Sequence, residues 1–166
     1  MGIVLGTRTK EHVVTFWTKV QDEEIQRMFP VTTESLEEAL EMFNESLLED
    51  AKSYGKVIYF DREYIGDVWC YGIDPGGKSA MLSVVIFAKV HWGKGIAAEA
   101  IRIFTSEMFH KYDIDRIGAF TFSSNHRSIG LLKKVGFFEI DSFVENGLES
   151  KYLELQREDL TVLGIS

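Results

Sequence analysis

A chain of 166 residues, 45% of them hydrophobic, suits one domain built around one substantial core. Its formal net charge of −8 argues against wrapping a nucleic-acid backbone, which takes clustered Lys and Arg, and matches a cationic or neutral partner better. A single cysteine, Cys70, excludes an internal disulfide and a cysteine-based metal cluster. The four histidines, His12, His91, His110 and His126, form no pair at metal-ligand spacing on one helix face, so no metal is expected. No apolar run approaches the ~20 residues of a membrane span. The N-terminus lacks the charged start and long apolar stretch of a signal peptide. The expectation is a cytoplasmic protein with neither nucleic acid nor membrane as partner.

In chain order, Ile3 to Arg8 reads as a first strand. Lys10 to Met28 reads as one or two short helices, with Asp22-Glu23-Glu24 opening the second, where carboxylates favour the positive helix end. Pro30 stops that segment. Thr33 or Ser35 caps the next helix, Ser35 with Glu38 fitting a capping box, and Leu36, Leu40, Phe43 and Leu47 form its stripe. Val57 to Phe60 and Tyr64 to Ile73 are strands about a tight turn at Asp61-Arg62-Glu63, and Asp74-Pro75-Gly76-Gly77 is a strong turn. Ala80 to Ala88 is almost continuously apolar, the mark of a strand buried on both faces. A helix from about Gly95 to Lys111 carries the stripe Ala97, Ala100, Ile101, Phe104, Met108. Arg116 to Phe122 is a strand, and Asn125 to Val135 is a short helix stopped by Gly136. Phe137 to Val144 and Lys151 to Leu155 flank Asn146-Gly147 as a final hairpin. The strands Val57–Phe60, Tyr64–Ile73 and Ala80–Ala88 form an antiparallel meander. From Ala80–Ala88 through the helix to Arg116–Phe122 runs a βαβ unit, expected right-handed.

The segment richest in chemistry is Trp92-Gly93-Lys94-Gly95-Ile96-Ala97, between the buried strand and a helix start. Glycines there let backbone N–H groups approach an anion, the helix dipole favours negative charge, and Lys94 adds a positive one. A pyrophosphate is the group such a loop suits, although any tight strand-to-helix turn can use glycine. A P-loop fails: Gly95 follows Lys94 where Ser or Thr belongs, and Lys89 stands where the first glycine belongs. Gly93, Gly95 and Ala98 satisfy a loose dinucleotide fingerprint, but the strand Arg116–Phe122 ends without the acid that would hold a ribose.

These residues, taken with a second block, resemble the GCN5-related N-acetyltransferase (GNAT) superfamily, and within it the branch that acetylates ribosomal-protein N-termini. The superfamily signature Gln/Arg-x-x-Gly-x-Gly/Ala reads here Trp92-Gly93-Lys94-Gly95-Ile96-Ala97, with tryptophan at the first position as in that branch, and Glu99-Ala100 follow. Asn125-His126-Arg127-Ser128, then Leu131 to Phe137, is similar to the family's Asn-x-x-Ser helix ending in Gly-Phe. Ile65-Gly66 and the ending Tyr152-Leu153-Glu154-Leu155 also match. The resemblance covers nearly the whole chain. It implies a single α/β (α+β) domain over residues 1–166, a mixed, mostly antiparallel sheet of about seven strands with helices on both faces. It also implies acetyl-CoA as co-substrate, with no metal, and a primary amine, protein N-terminus or small molecule, as acceptor; a homodimer is compatible with it.

By the same resemblance, acetyl-CoA lies where Ala80–Ala88 splays from Arg116–Phe122. Its pantetheine arm pairs with backbone near Phe87, its pyrophosphate sits on the N–H groups from Gly93 to Ala97, and Asn125 contacts the cofactor. Trp92, Gly93, Lys94, Gly95, Ile96 and Ala97 thus form the expected cofactor loop. A free amine attacks the thioester directly. The tyrosine that many relatives use as acid falls on Leu132, so Ser128 is the candidate proton donor. Its other reading is a first-turn polar residue whose hydroxyl bonds backbone. Asn125 caps its helix, contacts the cofactor, or both. Cys70, mid-strand, reads as an inert buried thiol before an acyl-cysteine nucleophile; His91, beside the loop, as a surface residue before a phosphate contact; Lys133 and Lys134 as solvated charges or 3′-phosphate contacts. Asp67, Asp74 and Glu34 are acids to weigh as general base, each an ordinary surface or turn residue otherwise. The acceptor pocket is expected between the segment Gln21–Thr33 and the hairpin near Asn146. The missing tyrosine keeps a second function open, a non-catalytic acetyl-CoA-binding protein of the same fold.

Overall fold

A computed structural model describes residues 2–28 and 33–162. The chain runs β1 (Ile3–Thr7), α1 (Lys10–Lys19), α2 (Glu23–Met28), α3 (Leu36–Ser46), β2 (Tyr54–Phe60), β3 (Glu63–Asp74), β4 (Ser79–Ile86), α4 (Ile96–Lys111), β5 (Arg116–Phe122), α5 (His126–Val135), β6 (Phe138–Glu145), β7 (Leu148–Gln156) and α6 (Arg157–Val162). The stop expected at Pro30 lies outside the described residues.

Local chemistry fixes these boundaries. The Thr9 side chain accepts from the His12 N–H and opens α1. Asp22 Oδ1 accepts from the Glu24 and Ile25 N–H groups at the start of α2. Ser35 Oγ accepts from the Glu38 N–H, whereas the Glu38 carboxylate takes the N–H of Glu34 in place of the Ser35 N–H of a true capping box. The turns Asp61-Arg62 and Asn146-Gly147 put both central residues at positive φ, the hairpin geometry that matches strand twist. At the end of α5, the Gly136 and Phe137 N–H groups donate back to the Leu132 carbonyl.

One seven-stranded sheet results, ordered β1-β2-β3-β4-β5-β7-β6. Every neighbouring pair is antiparallel except β4 and β5. The meander therefore extends by one strand, since β1 pairs with β2 at the sheet edge. On one face lies the main core, where Ile101, Phe104 and Met108 of α4 and Leu132 and Val135 of α5 meet Ile58, Val68, Ile117 and Leu153 of the sheet. On the other, Val20 and Ile25 cover Val85, flanked by Phe16, Trp69 and Phe87. Helices thus lie on both faces. The α3 stripe is only half-buried, because this helix rests on α1, and Leu47 is its exposed C-cap.

Two features place the site. The glycine of Ile65-Gly66 is a steric requirement, because a Cβ there would lie 2.0 Å from the Val85 carbonyl oxygen. β3 and β4 are locked together at that point, and the Phe87 N–H donates to the Ile65 carbonyl just beyond it. On its other side β4 meets β5 only through Ser79–Met81 against Arg116–Gly118. From Leu82 onward the two parallel strands part, while β5 stays paired with β7 along its whole length. β4 also ends at Ile86, two residues before the expected Ala88, and a 3₁₀ turn over Lys89–His91 leads on to the glycine loop.

Candidate active site

The parting of β4 and β5 opens a cavity of about 550 Å³. Leu82 to Ile86 form one wall, Ala119 to Phe122 the other, α4 contributes its N-terminal turn, and α5 contributes residues from Arg127 to Lys134. Each part arises from the local sequence. Gly93 and Gly95 have φ of 74° and 80°, a left-handed conformation that costs a residue with a Cβ roughly 1–2 kcal/mol. Gly95 is the N-cap of α4, and no side chain among the described residues caps it. The first N–H groups of a 16-residue helix therefore stay unpaired, and Ile96, Ala97 and Ala98, which carry them, line the cavity. Ala97, assigned to the core stripe on sequence grounds, is half-buried against this space; Ile96 and Ala98 are the core residues there. Uncapped N–H donors, the positive end of the helix and two left-handed glycines at a mouth are the chemistry of a pyrophosphate site.

Among the other loop residues, Lys94 is exposed and outside the cavity lining. Trp92 lines it, and its indole N–H donates to the Ile86 carbonyl at 3.0 Å. The Arg127 guanidinium lies 4.0 Å from the centre of that ring. On α5, Asn125 Oδ1 accepts from the Ser128 N–H at 3.1 Å, so Asn125 is the cap, and it lines the cavity as well. Ser128 also lines the cavity, half-buried, and no hydrogen bond among the described residues engages its hydroxyl. Leu132, where the resemblance expects a tyrosine, is buried and lines the cavity.

Several expectations change. The Phe87 N–H is already bonded to Ile65, and its ring packs on Phe16 and Tyr64, outside the main cavity. The strand groups that face the parting lie earlier, between Leu82 and Ile86. His91 is not a surface residue. It lines the cavity against Phe60, with Nδ1 buried and unpartnered among the described residues. Asp67 is neither surface nor turn. It is 1% exposed, its Oδ2 stands 2.7 Å from Arg8 Nη2, and the Tyr64 hydroxyl donates to its other oxygen. Burial raises the Asp67 carboxyl pKa, against the pull of Arg8. Burial, with Asp67 beside it, pushes the Tyr64 phenol up too. Asp67 does not line the cavity, and this cluster ties the β1–α1 turn at Arg8 to β3. Asp74 and Glu34 are exposed. Cys70 is fully buried, and burial pushes its thiol pKa up. Lys133 pairs with Glu139 at 3.0 Å, whereas Lys134 lines the cavity.

Next to the main cavity, a pocket of about 210 Å³ is lined by Lys19, Asp22, Glu24, Phe87 and Lys89, with Ile25 and Trp92 common to both. This is the α1–α2 side expected for the acceptor; positions 29–32 of that segment lie outside the described residues. The final hairpin reaches the main cavity through Ser150, not through Asn146.

A sheet parted between two parallel strands, with an uncapped helix and glycine loop at the opening, is the frame of an acyl-CoA-dependent acyltransferase. The chain matches the acetyltransferase (GNAT) domain model over residues 3–138, and so belongs to the GNAT acetyltransferase family. It is 30% identical over 107 residues to the probable N-acetyltransferase YjcK of Bacillus subtilis (strain 168), an alignment covering 64% of this chain and 59% of that protein. The chain therefore spans less than two thirds of that relative. Among solved structures, aminoglycoside acetyltransferase AAC(6')-Ib in complex with coenzyme A superposes with a TM-score of 0.80 at 16% identity, covering 96% of this chain and 98% of that one. Spermidine N-acetyltransferase from Vibrio cholerae, in complex with CoA and spermine, gives 0.82 at 21% identity, covering 95% and 96%. At these identities the two structures speak for the fold. No metal-holding cluster occurs among the described residues, and no helix among them is long and apolar enough to cross a membrane.

Gly95 supplies a test of the loop. Gly95→Val would force a β-branched side chain into a left-handed conformation at the helix cap. A folded Gly95→Val protein should bind acetyl-CoA at least tenfold more weakly by calorimetry, an effect on the order of 1–2 kcal/mol. Unchanged affinity would move the phosphate site elsewhere.

Proposed function

We propose that this protein transfers an acetyl group from acetyl-CoA to a primary amine, in a ternary complex and without a covalent enzyme intermediate. The observation that carries the reading is the parting of β4 from β5 after Met81 and Gly118, with the uncapped start of α4 at its mouth. The thioester arm lies between the strands and the pyrophosphate on the Gly93–Ala97 loop. The neutral amine attacks the carbonyl carbon, a C–N bond forms, the C–S bond breaks with its electron pair going to sulfur, and the nitrogen gives up one proton to water, which balances the one the sulfur gains. A strand N–H facing the parting stabilises the oxyanion. Ser128 offers the departing thiolate a proton or a hydrogen bond.

Trp92 and Ser128 support the branch that acts on ribosomal-protein N-termini, in the cytoplasm. The aminoglycoside and spermidine enzymes that share the fold make small cationic amines the comparison set for an acceptor panel. Acetyl-CoA at about a hundredfold excess over its Kd should add about 2.7 kcal/mol of stability, a rise of roughly 5–10 °C in melting temperature for a domain of this size. No shift and no heat of binding at millimolar acetyl-CoA would remove the reading. Release of free CoA thiol with any amine of the panel separates an enzyme from a cofactor-binding relative.

A further inference from the structure

The parting of β4 from β5 passes through the sheet. Side chains alternate along a strand, and residues directly opposite on neighbouring strands share a face. Ala119 and Leu153 pair on the face covered by α4 and α5. Phe120 pairs with Tyr152, and Phe122 with Ser150, on the opposite face. Ala119, Phe120, Phe122 and Ser150 all line the cavity, so it opens on both faces. On the second face the α1–α2 segment covers β4, with Val20 and Ile25 on Val85. Phe120 of β5, Phe143 of β6 and Leu148 of β7 stay exposed there. Phe120 lies edge-on to Phe143, with ring centres 5.6 Å apart, and 5.1 Å from the ring of Tyr152. Gly118 makes room for this floor, because a Cβ there would lie 2.5 Å from the Tyr152 hydroxyl oxygen. Tyr152 thus lies over β5 where its pairing with β4 ends, and the floor runs from the vertex of the parting outward to β6.

We infer that the acceptor carries an aromatic group a short spacer away from its amine, and that Phe120, Phe143 and Tyr152 bind that group while the amine reaches the thioester through the parting. The inference rests on the acetyl-transfer reading above and names its substrate class. An exposed apolar patch continuous with a cavity is a binding surface, and rings set edge-on or tilted receive a further ring in the same geometry. Continuity makes the acceptor the occupant, since Phe120 is both cavity wall and centre of the floor. Charge points away from a polycation. Among the described residues no carboxylate lines the main cavity. In the neighbouring pocket Asp22 is taken up by the N–H groups of α2 and Glu24 by Lys89. Beside Tyr152, Glu154 accepts from its hydroxyl and Asp141 from the Ser142 N–H.

The experiment follows release of CoA thiol with phenylethylamine, a peptide beginning with Phe, the same peptide beginning with Ala, and spermidine. Wild type, Phe120→Ala and Phe143→Ala are compared, with calorimetry on acetyl-CoA and light scattering for mass. In the wild type the better of the two aromatic acceptors should exceed both the Ala peptide and spermidine about fivefold to fiftyfold in kcat/KM. Which of the two is better tells a free amine from a peptide N-terminus. Both variants should lose that preference through KM, with kcat and acetyl-CoA affinity close to the wild type. Phe143 is exposed, so its variant should fold and carries the test even if Phe120→Ala does not. Spermidine or the Ala peptide as the best acceptor would overturn the inference, as would variants that keep the wild-type preference. A change of mass in place of a change in KM would make the face an interface between copies of this chain and overturn it too. If the wild type binds no acetyl-CoA or acetylates no amine, the acetyl-transfer reading fails first and this one with it.

Discussion

Replacing Arg8 with methionine should destabilise the protein by about 3–5 kcal/mol, because it strands the Asp67 carboxylate without its cation. Asp67 is 1% exposed, and its partners are Arg8 and the Tyr64 hydroxyl. The Tyr64 hydrogen bond remains in the variant but cannot neutralise a buried charge. The fall in melting temperature should be on the order of 6–20 °C, read by thermal or urea denaturation. Removing Arg8 Nε, a buried donor with no partner among the described residues, returns a small part of the loss. The effect should depend on pH with a definite sign. Burial already raises the Asp67 carboxyl pKa in the folded protein, and losing Arg8 raises it further. A folded-state pKa above the unfolded one means that stability falls as pH rises between the two. The deficit of Arg8→Met should therefore shrink toward the ordinary carboxylate range and be full at neutral pH. The double variant Arg8→Met, Asp67→Leu should recover much of it. An Arg8→Met protein that melts with the wild type would show that the pair does not anchor the β1–α1 turn to β3.

That cluster also shows where sequence reasoning stops. The frame was legible because periodicity and turn chemistry act locally. β5 has the bounds that the apolar run indicates, Arg116–Phe122, and Asn146-Gly147 turns the last hairpin. Gly95 sits at the cap where the loop pattern puts it. Failures came where a distant partner decides. An aspartate in Gly66-Asp67-Val68-Trp69-Cys70 looks like a surface position until β1 delivers Arg8 to it; the signal was a lone acid inside an otherwise apolar strand. His91 read as surface because nothing local says that β2 ends with Phe60 against its ring. The pantetheine arm is expected on backbone near Phe87, and the close approach of Gly66 to Val85 brings the Phe87 N–H itself to Ile65. Trp92 and Arg127 belong to separate motifs, and only the crossing of β4 to β5 makes them neighbours.

Ser128→Ala should lower kcat about tenfold to a thousandfold while leaving acetyl-CoA affinity nearly unchanged. The acid position that the resemblance implies falls on Leu132, which cannot donate a proton, is buried and lines the cavity. Ser128, one turn earlier on α5, lines the same cavity. The structure separates its two readings better than the sequence does. The first turn of α5 is capped by Asn125, whose Oδ1 accepts from the backbone N–H of Ser128. That bond survives replacement of the side chain, and no hydrogen bond among the described residues engages the Ser128 hydroxyl. Ser128→Ala should therefore cost well under the roughly 1 kcal/mol of a lost cap, whereas Asn125→Ala should cost about that much. A hydroxyl that meets the thiolate only as the C–S bond breaks acts on the transition state and not on ground-state binding, so kcat should move and the cofactor Kd should not. Steady-state kinetics with the best acceptor, calorimetry with acetyl-CoA and a melting curve read the three quantities separately. A Ser128→Ala protein with unchanged kcat would take the residue out of the chemistry and leave the thiolate to depart unassisted or with a proton from water.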